Sequence, residues 1–570
     1  MKVGLIYPPA DRRHEECFPM PGISLAALAG FLRSRGHRAR LYDGDILFHR
    51  RLRRQHPEID SAVLTDQDAV VRFLQGRLRG AAAGRLRRIQ ELFWESLALE
   101  PCGLYGISLV DMMSNRFVLH SAALIAHAIR RRLRAPVVLG FQGIARSAYR
   151  EILERYPVFD YAVWCLGEIP LLRLVERLSG KDAALVQTLA RERGGIREHT
   201  SPLPPLRCGG MDYAGYPLDL YRVTPSELLA RYAALPALAK LQPLAQGTPD
   251  QLVVMYRFDT SCRAGCAFCA NDNSAPDNRS ASPRIVADLR CLRRRGVTGV
   301  YFTNANFNND YREAERLCDL MIRARLSLQW SDCVNFRELD ETLLEKMRRA
   351  GAVRLAFGME TASPRLLRYI KKGVTRERIE RCLRQSHALG IWNHIELIGG
   401  LPTETDAELK ETTAFIRDLA DVVDQYTVSP FTLYRQSPFF KQAQRYGLSL
   451  RSGNAQEQWQ FSCADCKTGA TSEAFDEVGG LPWPRKQAQV RSSSETLAST
   501  IQAVAPYGAM NRDHTHLLFH LYRLLGHGQK GLIRRIFRTA TRRFRPYHMD
   551  RFPDTVDLLA GIAPATSSRG

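Results

Sequence analysis

Over the first 180 positions, short apolar runs alternate with longer amphipathic stretches. Lys2–Tyr7 is apolar and is broken by Pro8-Pro9. Ser24–Arg35 spaces Leu25, Leu28 and Leu32 along one helical face. Arg38–Tyr42, Leu104–Leu109, Pro136–Leu139 and Tyr161–Cys165 are further strand-like runs, with helical patterns at Arg116–Leu133 and from Gly167-Glu168 through Leu178. This alternation predicts a parallel, doubly wound sheet. Such sheets bind ligands at the carboxyl ends of their strands, which places Pro8, Ser108–Ser114 and Gly140–Gly143 at a rim. Residues 46–100 form an arginine-rich insert whose leucine spacing predicts two helices over one edge. Residues 181–245, punctuated by Pro202, Pro204, Pro205 and Gly209-Gly210, read as a linker.

The alternation returns over 250–440. An apolar run at Leu252–Tyr256 is followed by strand patterns at Val300–Phe302, Val353–Phe357, Ile395–Ile398 and Tyr426–Val428. Helical patterns lie between them at Val286–Arg295, Glu313–Arg325, Glu341–Ala350, Thr375–Leu389 and Asp406–Ala420. This predicts a partial parallel β/α barrel with its chemistry at the carboxyl ends of the strands. Beyond 441 the rhythm is lost. Arg451–Thr496 is polar and irregular, and Leu497–Val504, Leu517–Leu525 and Gly531–Phe544 are helix-like. The expected α/β organisation is a doubly wound domain (1–180), a linker (181–245), a barrel (246–440) and a mainly helical cap (441–570).

The chain has 570 residues, of which 45% are hydrophobic and 25% charged, ordinary for a globular protein with a real core. No apolar run reaches membrane-spanning length, and the N-terminus lacks a signal-peptide core, so a cytoplasmic location is expected. The thirteen cysteines are then thiols or ligands rather than disulfides. A formal charge of +22 suits nucleic acid, anionic lipid, an acidic carrier protein or phosphorylated substrates, or is simply a solvated arginine-rich surface. Gly531–Phe544 sets Leu532, Ile533, Ile536, Phe537, Ala540 and Phe544 opposite five arginines. Such a helix can lie peripherally on an anionic membrane, dock an acidic carrier protein, or pack on the barrel.

Cys262, Cys266 and Cys269 make a C-x3-C-x2-C loop after the first barrel strand. Thiolates are soft ligands suited to iron–sulfur clusters and zinc. Three of them on a 4Fe–4S cluster leave one iron open, which makes the loop a reaction centre rather than a staple. Cys463-Ala-Asp-Cys466 is either half of an auxiliary cluster or zinc site, or two plain thiols. Asp43, Asp45 and Asp111 stand at strand ends, where carboxylates cap helices. His394 precedes a barrel strand and can point in or out.

The cysteine loop and its flanks resemble the radical S-adenosylmethionine superfamily. The resemblance implies that Cys262, Cys266 and Cys269 hold a 4Fe–4S cluster whose open iron chelates S-adenosylmethionine. Phe268 takes the place of an aromatic residue near the adenine. Tyr301-Phe-Thr-Asn-Ala-Asn-Phe307 puts Asn304 and Asn306 where acidic residues accept from the S-adenosylmethionine amino group. Phe357-Gly-Met-Glu-Thr361 makes Glu360 an acceptor for ribose or substrate. Ile398-Gly-Gly-Leu-Pro-Thr-Glu404 brings Gly399 and Gly400 near the adenine, with Glu404 beside them.

The N-terminal part is similar to the cobalamin-binding domain of many such enzymes, through the strand–Pro-Pro start, Pro21-Gly-Ile-Ser-Leu-Ala-Ala-Leu-Ala29, Gly106-Ile-Ser108 and Leu139-Gly140. It departs at Phe141-Gln142 and lacks the D-x-H-x-x-G motif, so no histidine of that motif would ligate cobalt. Pro8, Ser108 and Gly140 are the implied cobalamin rim, with Asp43, Asp45 and Asp111 as further candidates.

The implied activity is C-methylation of an unactivated carbon in a small-molecule, carrier-bound, peptide or lipid substrate, with an electron donor such as flavodoxin or ferredoxin. Radical cyclisation or oxidation without methyl transfer is one alternative. A transfer-RNA methylthiotransferase is another, and it would require a second three-cysteine set. Cys17, Cys102 and Cys165 are too scattered to supply one, so nucleic acid is not the expected partner.

Overall fold

The computed structural model describes residues 1–10, 20–52, 55–56, 61–109, 115–140, 146–164, 166–203, 210–231, 247–270, 278–451, 473–504 and 512–543. Cys17, Cys165, Asp111, Phe141-Gln142, the Cys463–Cys466 pair and residues 544–570 lie outside these. The chain is an α/β protein with two large sheets and a helical C-terminal region.

The first sheet has seven strands in the order β2-β1-β3-β4-β5-β6-β7. They are β1 (Lys2–Tyr7), β2 (Arg38–Asp43), β3 (Leu104–Ser108), β4 (Val137–Gly140), β5 (Tyr161–Val163), β6 (Thr188–Glu192) and β7 (Gly195–His199). The first five are parallel, as the alternation predicts. The period-2 pattern feeds two cores. Val3, Leu5 and Tyr7 pack with helix Ile23–Arg33 on one face, and Ile6 and Ile107 pack with helix Asn115–Arg132 on the other. The insert supplies helices Gln67–Leu74 and Gly80–Leu97, which pack on that second face.

The expected linker is corrected at its start. β6 and β7 form an antiparallel hairpin that extends the sheet beyond β5. The signal was Gly194-Gly195, whose positive φ angles (95° and 134°) close the turn between two strand-like runs.

The second sheet has six parallel strands in chain order from β8 to β13. They are β8 (Val253–Tyr256), β9 (Gly299–Phe302), β10 (Gln329–Val334), β11 (Ala352–Glu360), β12 (Trp392–Gly399) and β13 (Gln425–Pro430). Sequence reading missed β10, because Gln329, Ser331, Asp332 and Cys333 look like a loop. Only Trp330 and Val334 mark it, and both are buried against the helices. Most barrel helices begin on a side-chain cap just past a strand or loop. Asp310, Asp340, Ser363, Thr375 and Thr405 each accept from a first-turn N–H, and Thr405 forms a capping box with Glu408.

One expectation for the C-terminal region is overturned, and of the three readings of its last helix the packed one matches the contacts. The stretch read as irregular up to Thr496 is helical from Trp483 to Val504 and lies against β12 and β13. Helix Lys530–Arg543 packs on the base of the barrel. Its Ile533, Ile536 and Phe537 are buried, and the Phe537 ring lies 5.0 Å from that of Trp392. Lys530 and Arg534 pair with buried Asp424 at 2.8 and 3.0 Å. A stripe already packed in the core is not available to a bilayer, so the membrane-surface reading of this helix falls. Among the described residues no helix is long and apolar enough to cross a membrane.

Candidate cofactor site

The cysteine loop leaves β8 at the mouth of the barrel and is held mostly through its backbone. Ala267 N–H donates to Ile370 O at 2.9 Å and Ala267 O accepts from Phe439 N–H at 2.9 Å. Arg337 donates to Ala264 O at 2.7 Å, and Arg263 N–H donates to Asn309 Oδ1 at 2.8 Å. Asp259, buried, accepts from the N–H and hydroxyl of Ser261. Gly265 turns the loop at φ +64°, left-handed space that suits glycine.

Cys266 is buried, and Cys262 and Cys269 are partly buried. Burial pushes the Cys262 thiol up, while the Ala264 N–H and the Lys372 charge pull it down. Among the described residues no three of His, Cys, Asp or Glu stand close enough to hold a single ion. A 4Fe–4S cluster asks for a wider set, since each thiolate binds a different iron. The donor set fits such a cluster: three thiols, an amide N–H from Asn306 to Cys262 Sγ at 3.3 Å, and a partly buried cation beside the loop.

That cation is Lys372, which sequence reading missed. Its Nζ lies 2.9 Å from Glu360 Oε1 and 5.8 Å from the centre of the Phe268 ring. Burial works against its charge, but Glu360, Cys266 and Cys269 outweigh this and hold the ammonium above the ordinary lysine value. Glu360 ends β11 in left-handed backbone at φ +69°. A Cβ on Gly358 would meet Glu360 Oε1 at 2.8 Å and Lys372 Nζ at 2.9 Å, so the pair uses the room that the glycine leaves. Phe268, Glu360, Asn306 and the three cysteines therefore share one neighbourhood.

Asn304 does not fit its expected role. Its amide oxygen accepts the N–H groups of both Phe258 and Asp259 at 3.0 Å, and its Nδ2 donates to Asp332 at 2.6 Å. Both lone pairs are used in fixing the start of the cysteine loop, which leaves none for a ligand's amino group.

Gly399 and Gly400 lie under a C-terminal helix. Close approach is required there, but by protein: a Cβ on Gly399 would meet Ser494 N at 2.7 Å, and one on Gly400 would meet Val490 Cα at 2.4 Å. Helix Trp483–Val504 lies directly against this segment. Glu404 accepts from Gly400 N–H at 3.1 Å, and burial raises its pKa against a hydrogen bond from Ser493 and the charge of Lys486.

Inside the barrel, Arg354 on β11 reaches Ser331, Tyr301, Gln425 and His394 from four other strands. His394 therefore points inward, and its second nitrogen meets Thr427 at 2.8 Å.

At the first sheet's rim, Pro8 is buried after β1, and Ser108 Oγ lies 3.4 Å from Ser24 Oγ, itself 2.7 Å from the Tyr7 hydroxyl. Among the described residues, nothing lies within 4 Å of where a Cβ on Gly140 would stand, which leaves open space above the end of β4. Ser108 and Gly140 are paired neighbours on β3 and β4. Asp43 caps a helical turn through Ile46 N–H, and Asp45 ties down Ala10 N–H, so both carboxylates serve the backbone. The two sheets meet at their carboxyl ends: Arg257, just past β8, pairs with Glu168, just past β5, at 3.5 Å.

Residues 256–416 match the Radical SAM superfamily. An uncharacterized methyltransferase of Pyrococcus horikoshii is 24% identical over 280 residues, covering 48% of this chain and 56% of that protein. An anaerobic magnesium-protoporphyrin IX monomethyl ester cyclase of Rubrivivax gelatinosus is 25% identical over 224 residues, 35% of this chain and 40% of that one. The chain thus spans about half the length of these relatives. Among solved structures, the radical S-adenosylmethionine methyltransferase TsrM of Kitasatospora setae, with cobalamin and a 4Fe–4S cluster bound, superposes with a TM-score of 0.57. The identity is 16%, over 95% of this chain and 99% of that one. A second TsrM structure holds tryptophan and an analogue of S-adenosylmethionine. The segment that holds the cysteine loop thus matches the Radical SAM superfamily, and the chain shares the overall fold of the TsrM structures.

Proposed function

We propose that the protein is a cobalamin-dependent radical S-adenosylmethionine C-methyltransferase acting on an unactivated carbon of a small molecule. The observation that carries this is the meeting of the two sheet rims at Arg257–Glu168, which sets the open space over Gly140 and the cysteine loop on the same side of the molecule. Residues 1–199 would form the cobalamin unit, 246–440 the radical barrel and 441–570 the cap. When bound, the cluster supplies the electron that cleaves S-adenosylmethionine to a 5′-deoxyadenosyl radical, and cobalamin supplies the methyl group.

The chain's own residues do the holding. Cys262, Cys266 and Cys269 would hold the cluster, and the Asn306 amide donates to the Cys262 sulfur. Lys372 and Glu360 offer opposite charges that match the zwitterionic end of S-adenosylmethionine, with Phe268 toward its adenine. Pro8, Ser108 and Gly140 shape the cobalamin seat. A small-molecule substrate is favoured by the tryptophan complex of TsrM. Cyclisation without methyl transfer is the second reading, favoured by the Rubrivivax relative.

The test is anaerobic reconstitution with iron, sulfide and cobalamin counted and 5′-deoxyadenosine measured. The wild type should hold one 4Fe–4S cluster and one cobalamin, and each Cys→Ala variant should lose the visible absorbance and all 5′-deoxyadenosine. Full activity in any one variant would sink the radical reading. Product mass separates the two outcomes, since methylation adds one carbon.

A further inference from the structure

Strand register stacks the inward side chains of the barrel in layers. Tyr301, Ser331 and Arg354 are neighbours on β9, β10 and β11. Ala356 and His394 stand one layer nearer the mouth, and Gly358, Glu396 and Thr427 one layer nearer still. On β11 the residues between, Val353, Leu355 and Phe357, are fully buried against the helices. The inward column above Arg354 is small, an alanine and then a glycine, and Gly358, Glu396 and Thr427 beside it are partly exposed. The barrel thus keeps room along β11, from the Glu360–Lys372 pair down to Arg354. Arg354 itself is 6% exposed and holds a charge that it cannot shed. All its partners are neutral acceptors: Gln425 Oε1 at 3.3 Å, Ser331 Oγ at 3.0 Å, the Tyr301 hydroxyl at 3.5 Å and His394 Nδ1 at 2.6 Å. A guanidinium only donates, so His394 Nδ1 carries no proton, and Nε2 donates to Thr427. The imidazole therefore neither adds a charge nor offsets one. Among the described residues Arg354 makes no ion pair, Glu396 included.

We propose that Arg354 anchors the substrate through an anionic group, so that the molecule that reacts carries a carboxylate or a phosphate. The proposal rests on reading this barrel as the catalytic one. A buried cation without a carboxylate is costly to fold, and an anion arriving from the mouth supplies the missing charge. Carboxylates and phosphates also suit the planar fork of a guanidinium. The four residues from Arg354 to Gly358 span roughly 13 Å at ~3.3 Å per residue. Lys372 Nζ stands over Gly358. The anion is therefore held deep, and the carbon that reacts lies toward the other end of the molecule, near the cluster seat. Specificity follows from the same geometry: a neutral analogue leaves the guanidinium unmatched and loses the anchor.

The test uses the full chain and follows its melting during titration with inorganic phosphate and with phenylacetate at constant ionic strength. Phenylacetamide is the neutral control. The two anions should protect the wild type and the amide should not. Arg354→Gln should weaken that protection by about tenfold or more in midpoint concentration. Ala356→Leu keeps the guanidinium and its four partners but fills the room above them. It should lose the protection too, and it carries the test if Arg354→Gln does not fold. Equal protection of wild type and Ala356→Leu would mean that the anions bind elsewhere on a chain of charge +22, which overturns the anchor. So would a wild type that neither anion protects more than the amide does. The carboxylate of S-adenosylmethionine is the other source of the same chemistry, and equilibrium dialysis of the reconstituted chain separates the two. Its binding should be unchanged in Arg354→Gln, and a tenfold loss there would give Arg354 to the cofactor and overturn the substrate anchor. A reconstituted wild type that makes no 5′-deoxyadenosine, while Arg354 still governs anion protection, would sink the functional reading and leave the anion site standing.

Discussion

Glu360 is a carboxylate in left-handed backbone, 7% exposed, whose charge is matched by a lysine further along the chain. Replacing Lys372 with Met should leave that carboxylate buried and unmatched, at a cost of about 3–5 kcal/mol in urea unfolding. The double variant Glu360→Gln, Lys372→Met should regain most of the loss. A single variant as stable as wild type would show that water reaches the pair.

The Glu360 position was legible because it stands in a short motif. Lys372 was not, because its approach depends on the tertiary turn after helix Pro364–Tyr369, where Lys371 takes φ +55°. Asn304 was misassigned for a related reason. A side chain at a strand end can serve a ligand or its own backbone, and only the direction of its amide oxygen decides. The three cysteines were readable in full, since their spacing is local and their chemistry needs little context.

At the scale of elements, strands that carry a short apolar run were read correctly, as in β1, β9 and β12. β10 escaped because its inner face is polar, and helix Trp483–Val504 escaped because its Ser492–Ser494 run looks like a loop. Ser494 of that run lies over Gly399, and Val490, one turn earlier, lies over Gly400. Gly400→Val should therefore force the helix away and add strain at φ +78°, lowering the melting temperature by several degrees. Gly447→Val is the control: it has similar φ (+65°) but no neighbour within 4 Å, and should cost less. Equal losses in the two would mean that backbone strain, not helix contact, sets the cost. For helix Lys530–Arg543, removing residues 530–570 should uncover Trp392 and leave Asp424 buried without its cations. The outcome expected is increased dye binding and a lowered melting temperature. A truncated chain with unchanged melting would contradict the packed position of the helix.

For the whole molecule, stability in mild acid depends on histidines that folding keeps neutral. His520 is buried, with no partner for either ring nitrogen among the described residues, and burial followed by the Arg523 charge lowers its pKa to about 4. The unfolded chain therefore takes up this proton first. The stability contributed by the neutral ring is intact above the unfolded value of 6.5 and is lost as pH falls toward 4. Asp43 and Asp288, raised by burial, act in the opposite sense, so the contribution is best isolated by difference. Between pH 7 and pH 5, wild type should lose up to about 2 kcal/mol more than His520→Leu, measured by urea unfolding at each pH. Parallel pH profiles would mean that the ring is protonated in the fold or reached by water.

The apolar cluster that begins at Val3 in the first sheet runs through Tyr213, Tyr216 and Tyr221, the barrel strands and helices, and ends at Phe537. Sequence rhythm divides the chain, but this shared interior joins it. The free energy of either sheet then depends on the other, so unfolding should be cooperative, with one calorimetric transition in place of one per sheet. An excised barrel, residues 246–440, should expose the residues that now face Tyr213 and Phe537 and fail to fold alone. The distance between the two sheet rims is thus set by the folding equilibrium of the entire chain, not by a hinge.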